Sequence, residues 1–224
     1  MRVDFTPRQG DSPQPVRIQL EKSSTQLYSR AMTPKETEHR FLSLIGEYLV
    51  SLPSDLKILQ EAVADPDLDR KARDLAAGTV VHTLLPQEGE GILRFVDDVL
   101  LVRAALKAVA DSGGPAVDAF RARFAEAYAS LDATIAVFSA ELGDTFRWLS
   151  DKLETFPRIT FKGKRASQYV DDDESQSFLY DEGLEFETNY NVTEEQVKNR
   201  LRRADQIVEL LLARRRVEDA KKKA

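Results

Sequence analysis

Between Thr33 and Phe156 apolar residues recur at three- and four-residue spacing, the period of helices that bury one side against each other. Order begins at Thr33-Pro34-Lys35-Glu36. Thr33 caps free N–H groups, Pro34 suits the first helical position, and Glu36 reaches back as the third-position carboxylate. Phe41, Leu44 or Ile45, Tyr48 and Leu49 continue as a stripe that ends before Pro53. A second short helix is expected from Pro53 to Ala64, and a third runs from the Asp65-Pro66 start signal through Leu68, Ala72, Leu75, Ala76, Thr79 and Val80 toward Leu85.

Two glycines and a proline make Pro86–Gly91 a turn. Ile92 to Ala110 follows, with Phe95, Val96, Val99, Leu100, Val102 and Leu106 covering most of its circumference. A helix apolar on so many sides belongs at the centre of a bundle. Past Asp111–Pro115, Phe120, Phe124, Leu131, Ile135, Phe138, Leu142, Phe146, Leu149, Leu153 and Phe156 follow one another at three, four or seven residues. Only Gly143 interrupts, so the simplest expectation is one helix of about forty residues, ~60 Å at a 1.5 Å rise, kinked near Gly143.

The period then changes. Ile159-Thr160-Phe161 and Leu184–Glu187 alternate as strands do, and Asp181-Glu182-Gly183 reads as a hairpin turn. Residues 157–192 are therefore either a small β element, to which Val16–Leu20 could add a strand, or an acidic linker. A second capping box, Thr193–Gln196, opens a last helix over 193–224. It is amphipathic and basic, with Val197, Leu201, Ala204, Val208 and Leu211 on a heptad-like stripe flanked by Arg200, Arg203, Arg214 and Arg215. Residues 1–32, polar and broken by Pro7, Gly10, Pro13 and Pro15, read as a flexible arm. The expected fold class is mainly α: a helical bundle over 33–156 with one long helix, a possible small β element and the basic C-terminal helix.

Composition narrows the chemistry. The chain has no cysteine, which removes disulfides, zinc–thiolate sites, iron–sulfur clusters and a cysteine nucleophile, and fits a reducing compartment; we expect a cytoplasmic protein. Apolar runs such as Val99–Val102 fall far short of the ~18 residues needed to cross a bilayer, and Met1–Ser29 lacks the apolar core of a secretory signal. The net charge of −6 conceals a segregation: Asp171 to Glu187 holds eight acidic side chains and no basic one, whereas Thr193 to Ala224 holds ten basic against six acidic. Asp171, Asp172, Asp173 and Glu174 open the acidic segment.

Asp97 and Asp98 interrupt an apolar helix, which costs free energy unless the carboxylates are paired, hydrated or used. With Glu88 and Glu90 they would offer oxygens to a magnesium or calcium ion. Adjacent helical residues point about 100° apart, however, which favours one carboxylate capping or pairing with an arginine such as Arg94 or Arg70 while the other is solvated. His39 and His82 are the only histidines, too few for a usual zinc or iron site, and read as structural or surface residues. No nucleophile elbow, Walker loop or dinucleotide fingerprint occurs. Lys162–Arg165, beside Phe161 and Tyr169, reads as a contact for a phosphate backbone and stacked base, or as a solvated turn or partner for the acidic stretch.

The stretch from His82 through Pro86, Gly89 and Gly91 to Asp97, Asp98 and Leu101 resembles the YkvA-like family of small bacterial proteins. In that family an apolar helix runs into a Pro and Gly turn and a paired aspartate follows on the next helix. The likeness spans about thirty residues, and this chain departs from it in having Gln87 after the first proline and no second proline. It implies an all-helical domain without an assigned activity, sometimes associated with membranes. The expectation from the residues is a non-catalytic adaptor or assembly protein, without a cofactor or small-molecule substrate, that binds protein partners or itself through its helices and charged segments. The alternative is peripheral binding to an anionic membrane or nucleic acid through Arg200 to Lys223.

Overall fold

A computed structural model describes residues 33–86 and 89–221. The arm over 1–32, the Val16–Leu20 strand, Glu88 and Lys222–Lys223 lie outside the described residues. Ten α-helices and one two-stranded sheet make up the described chain, and the mainly α class expected from the periodicity is the class observed.

The first helix, α1, runs unbroken from Pro34 to Ala64 and buries Phe41, Ile45, Leu49, Leu52, Leu56 and Leu59 on one side. The expected division at Pro53 does not occur. Proline removes one N–H and leaves the carbonyl four residues earlier without its helical donor. That carbonyl belongs to Leu49, and it accepts a hydrogen bond from the hydroxyl of Tyr190 instead. The helix survives its proline because a distant side chain replaces the missing donor.

Helix α2, Arg70–Leu84, starts where the Asp69 carboxylate accepts from the Ala72 N–H at 2.8 Å. The glycine turn uses positive φ at Gly89 and Gly91, and a short 3-10 turn, Gly91–Phe95, leads into α3, Val96–Asp111. Residues 98 to 106 of α3 are buried without exception, so α3 is the centre of the bundle as expected, packed between α1 and α2.

The forty-residue helix expected over Ala116–Phe156 is instead four: α4 (Pro115–Arg123), α5 (Ala125–Ala129), α6 (Leu131–Leu142) and α7 (Asp144–Asp151), closed by a 3-10 turn over Lys152–Arg158. Gly143, at φ 51°, makes the corner placed there from sequence. Phe124 and Ser130 leave the helical region with no glycine or proline to signal it. Breaking the helix lets Phe120, Tyr128, Leu131, Phe138 and Phe146 all reach the core that a straight rod would overshoot.

The β element is smaller than expected. β1 (Thr160–Phe161) pairs antiparallel with β2 (Lys164–Arg165), Thr160 opposite Arg165, across a turn with positive φ at Lys162 and Gly163. Leu184–Glu187 is not a strand, Asp181–Gly183 is not a hairpin turn, and 157–192 is not a linker: Asp173–Asn189 is one helix, α8. Asp172 caps it by accepting from the Ser175 N–H at 2.7 Å. Ser175, Leu179 and Gly183 form the buried stripe, four residues apart. At Gly183 a Cβ would overlap the Gln60 amide, which donates to the carbonyls of Leu179 (2.8 Å) and Tyr180 (3.2 Å).

Both arms of the Thr193–Gln196 capping box form and open α9 (Glu194–Arg200). The single last helix is corrected to two, since Leu201–Arg203 is not helical and α10 spans Ala204–Lys221. The core does not stop at Phe156: Tyr169, Val170, Leu179, Ala204, Ile207 and Leu211 join the same buried cluster, and Pro34–Ala224 is one unit. Among the described residues no helix is long and apolar enough to cross a membrane.

Candidate functional site

The paired aspartates sit in the first turn of α3, where free N–H groups and the helix dipole favour negative charge. Their side chains diverge: one pairs with an arginine, as expected, though neither Arg94 nor Arg70 is that arginine, and the other is buried rather than solvated. Asp97 forms an ion pair with Arg214 of α10, both side chains mostly covered. Asp98 has no exposed surface, and its Oδ1 lies 3.3 Å from Nδ1 of His82, near the end of α2. Arg70 is occupied elsewhere, on Asp74 and Asp171, and neither carboxylate is solvated.

His82 is held flat by Phe156, whose ring stacks on it at 4.4 Å between centroids and 14° between planes. Phe156 reaches that position because Gly78 lacks a Cβ. A methyl there would come within 2.6 Å of the Phe156 carbonyl carbon. Burial pushes the Asp98 carboxyl up to about 7, against the pull of the His82 hydrogen bond and charge; Asp97 adds to the rise and Arg214 opposes it. Tyr190 packs beside this cluster, 4.9 Å from the Phe95 ring and 5.2 Å from the Phe186 ring. Its phenol is pushed well above the ordinary range, first by burial and then by the Asp98 charge, with Arg94 opposing.

The centre is therefore a buried carboxyl, Asp98, beside His82, with the Asp97–Arg214 ion pair at the adjacent residue. Asp98 cannot reach a substrate, because nothing of it touches solvent. Among the described residues no group of three His, Cys, Asp or Glu side chains is placed to hold a metal ion; of the suggested oxygen cluster of Asp97, Asp98, Glu88 and Glu90, Glu88 lies outside the described residues. What the arrangement does is seat α10: Arg214 on Asp97, Lys152 of the preceding turn on Glu218, and Arg215 and Lys152 both over the Trp148 ring.

The residues predicted to bind a partner divide. Ala204 and Leu211 are buried against the chain's own core, joined by Ile207, while Val197, Leu201 and Val208 pack partly against it. Of the arginines, Arg214 is consumed by Asp97 and Arg203 grips Asp205 through two nitrogens, whereas Arg200, Arg202 and Arg216 stand exposed. In the acidic segment Asp171 pairs with Arg70 at 2.7 Å, Asp172 is the α8 cap, and Asp173 and Glu174 face solvent in the first turn. Lys162 and Lys164 turn toward α8, onto Glu182 and the Ser175 hydroxyl. They are the partners of the acidic stretch, one of the readings open from sequence.

Sequence reasoning missed a second buried ion pair, Asp55 with Arg103, which joins α1 to α3. The signal that drew attention to the aspartates, a charge inside an apolar helix, applies equally to Arg103. Tyr190 gave no signal, because its role depends on a proline 137 positions earlier. The chain matches no protein-family model, no curated protein and no solved structure.

Proposed function

We propose that this chain is a non-catalytic assembly protein whose copies associate head to tail, the acidic outer face of α8 on one copy receiving the exposed arginines of α9 and α10 on the next. The observation that carries the reading is the outer face of α8. Phe178 and Leu184 remain 38% and 41% exposed there among Asp173, Glu174, Asp181, Glu185 and Glu187, with no basic residue on the helix. Lys162 lies over the Phe178 ring at 5.6 Å, and beyond it an apolar anchor on a helix whose own charges are all acidic suits a partner of opposite sign with its own apolar spot. The chain supplies such a surface in Arg200, Arg202 and Arg216, with Val217 53% exposed beside the last of these.

The likeness of His82–Leu101 to the YkvA-like family belongs to the same proposal. The shared aspartates are the ones on and beside which α10 is seated. Peripheral binding to an anionic membrane or nucleic acid remains the competing use of the same arginines. It has less to work with, because Ala204, Ile207 and Leu211 point inward and leave α10 no broad apolar face for lipid.

The test is molar mass by light scattering across a salt series. Association is expected at low salt and is expected to fall away as the Debye length shrinks below ~8 Å. Removing 193–224 would strip the core, so charge reversal is the right control: Asp181→Lys with Glu185→Lys abolishes association while the fold persists. A monomer at every salt concentration, or association that ignores the reversal, removes this reading.

A further inference from the structure

A cleft of about 550 Å³ opens between α1, α3 and the corner where α4 meets α5. Its floor is the ion pair the sequence did not disclose. Asp55 and Arg103 are only 6% and 4% exposed, yet both line the cleft. The Arg103 guanidinium lies 3.7 Å over the Tyr48 ring, which fixes its plane, and Tyr48 is held in turn by Thr134 at 2.9 Å.

Neither partner of this pair is saturated. Asp55 receives Arg103 and the Ser51 hydroxyl on the same oxygen, Oδ2, and no described residue donates to Oδ1. Arg103 reaches Asp55 through Nη2 and the Ala127 carbonyl through Nη1 at a long 3.4 Å, while its buried Nε finds no acceptor among the described residues. Burial acts more strongly on Asp55 than the attraction of Arg103 does, leaving its carboxyl above the ordinary range. The floor thus holds a carboxylate and a guanidinium whose hydrogen-bonding capacity is not filled by the described residues.

The walls carry the same duality. Arg123 and Glu126 stand at the rim with opposite signs, and Ile58 and Phe124 supply apolar surface. The corner itself is irregular: Phe124 and Ser130 depart from helical geometry inside a run of good helix formers, and the Ala127 carbonyl turns to Arg103. An irregular backbone at Phe124 and an incompletely paired buried charge meet at one cleft, a combination that binding sites share.

We propose that this cleft binds a zwitterionic small molecule of the α-amino acid class. Its ammonium meets Asp55 with Glu126 above, its carboxylate meets Arg123 at the rim within the field of the Arg103 guanidinium, and its side chain lies on Ile58 and Phe124. A lone anion or a lone cation fits less well, because the lining groups Asp55, Glu126, Arg103 and Arg123 sum to no net charge and a single charge gains one attraction at the expense of a repulsion.

The test is NMR titration of the full chain, ¹⁵N-labelled, with each of the twenty L-amino acids. The best binder is then compared with its decarboxylated amine and its deaminated acid. An apolar or aromatic amino acid is expected to bind with Kd near or below ~1 mM, moving resonances of Phe124, Ala127 and the Arg103 side chain. Both half-ligands are expected to bind at least about tenfold more weakly, since each leaves one lining charge unmatched. Asp55→Asn tests the floor and Arg123→Ala the rim, each expected to weaken binding several-fold; because Arg123 also pairs with Asp65 at 2.8 Å and lies over Phe120 and Phe124, Asp65→Ala, which loses only that pair, is the control and is expected to leave binding unchanged. No shift with any amino acid at about ten times that concentration overturns the proposal. So does equal binding of either half-ligand, or unchanged affinity in a folded Arg123→Ala.

Discussion

Two carboxylates are buried against the central helix, and the chain treats them differently. Asp55 faces Arg103, a permanent cation whose ring-stacked plane holds it in place. Asp98, carried by the same helix five residues before Arg103, lies 3.3 Å from His82, a side chain that is not a permanent cation. The Asp55 pair ties α1 to α3, both in the first half of the chain, with an arginine whose charge no ordinary pH removes. The Asp98 pair sits under elements added late in the chain, the Phe156 turn, Tyr190 and α10, and its charge depends on pH. A buried ion pair is weak evidence for stability in itself, but breaking one exposes what its partner costs.

The largest effect is expected where the permanent cation is lost. Arg103→Met strands Asp55 in the interior, and urea denaturation at neutral pH should show a loss of about 3–5 kcal/mol. Asp55→Asn together with Arg103→Met should recover much of it. A single variant as stable as the parent would mean that the two carboxylates do not differ in the way described.

Asp98 should yield the next largest effect, as a slope with pH. Its carboxyl lies near 7 in the folded chain against an ordinary 3.8, so the folded state binds the proton more tightly than the unfolded one. Stability from this group is complete below about pH 3.8 and is lost as pH rises through about 7, flattening above. At about 1.4 kcal/mol per pH unit the contribution is at most about 4 kcal/mol. Asp98→Asn should remove that part of the profile, leaving a variant less pH-sensitive between 4 and 7 and at pH 8 as stable as the parent or more so. Equal slopes for parent and variant would contradict the assignment.

The same contrast explains how far the sequence could be read. Elements whose cause is local were legible: the Thr193–Gln196 capping box, the Pro34 start, the corner at Gly143 and the buried helix after the glycine turn. Elements whose cause lies across the fold were not. Pro53 reads as a helix end until Tyr190 supplies a donor to Leu49. Leu184–Glu187 alternates like a strand, but the Asp172 cap and the Gln60–Gly183 fit make it helix. The breaks at Phe124 and Ser130 fall in the one place where the apolar spacing lengthened to seven, a signal present but too weak to name. Of the candidate centre, the aspartates were legible as charges out of place, while Arg214, His82 and Tyr190 were assigned as their surroundings only by the fold.

Tyr190 offers a third, smaller test of the late-added side. Tyr190→Phe leaves the buried Leu49 carbonyl without a donor and should cost about 1–2 kcal/mol. In a Pro53→Ala background the restored N–H fills that carbonyl, so the same change should cost about 1 kcal/mol less. A double-mutant cycle by denaturation measures the difference, and a coupling of zero would separate Tyr190 from the proline.

The smallest global effect is expected at Arg214, and it is the most discriminating. Its ion pair with Asp97 is mostly but not wholly covered, so Arg214→Gln should lower overall stability by only about 0.5–1 kcal/mol. Locally the change is larger, because the second half of α10 has few other anchors than the Lys152–Glu218 pair. Amide hydrogen exchange should therefore speed up after Leu211 while α1 and α3 stay protected. Removing that guanidinium also takes away a charge that holds the Asp98 carboxyl down, so its titration, followed by carboxyl ¹³C shifts, should move further upward. A downward move, or exchange that quickens equally across the bundle, would place Arg214 outside the Asp98 centre and leave both buried carboxylates resting on the core alone.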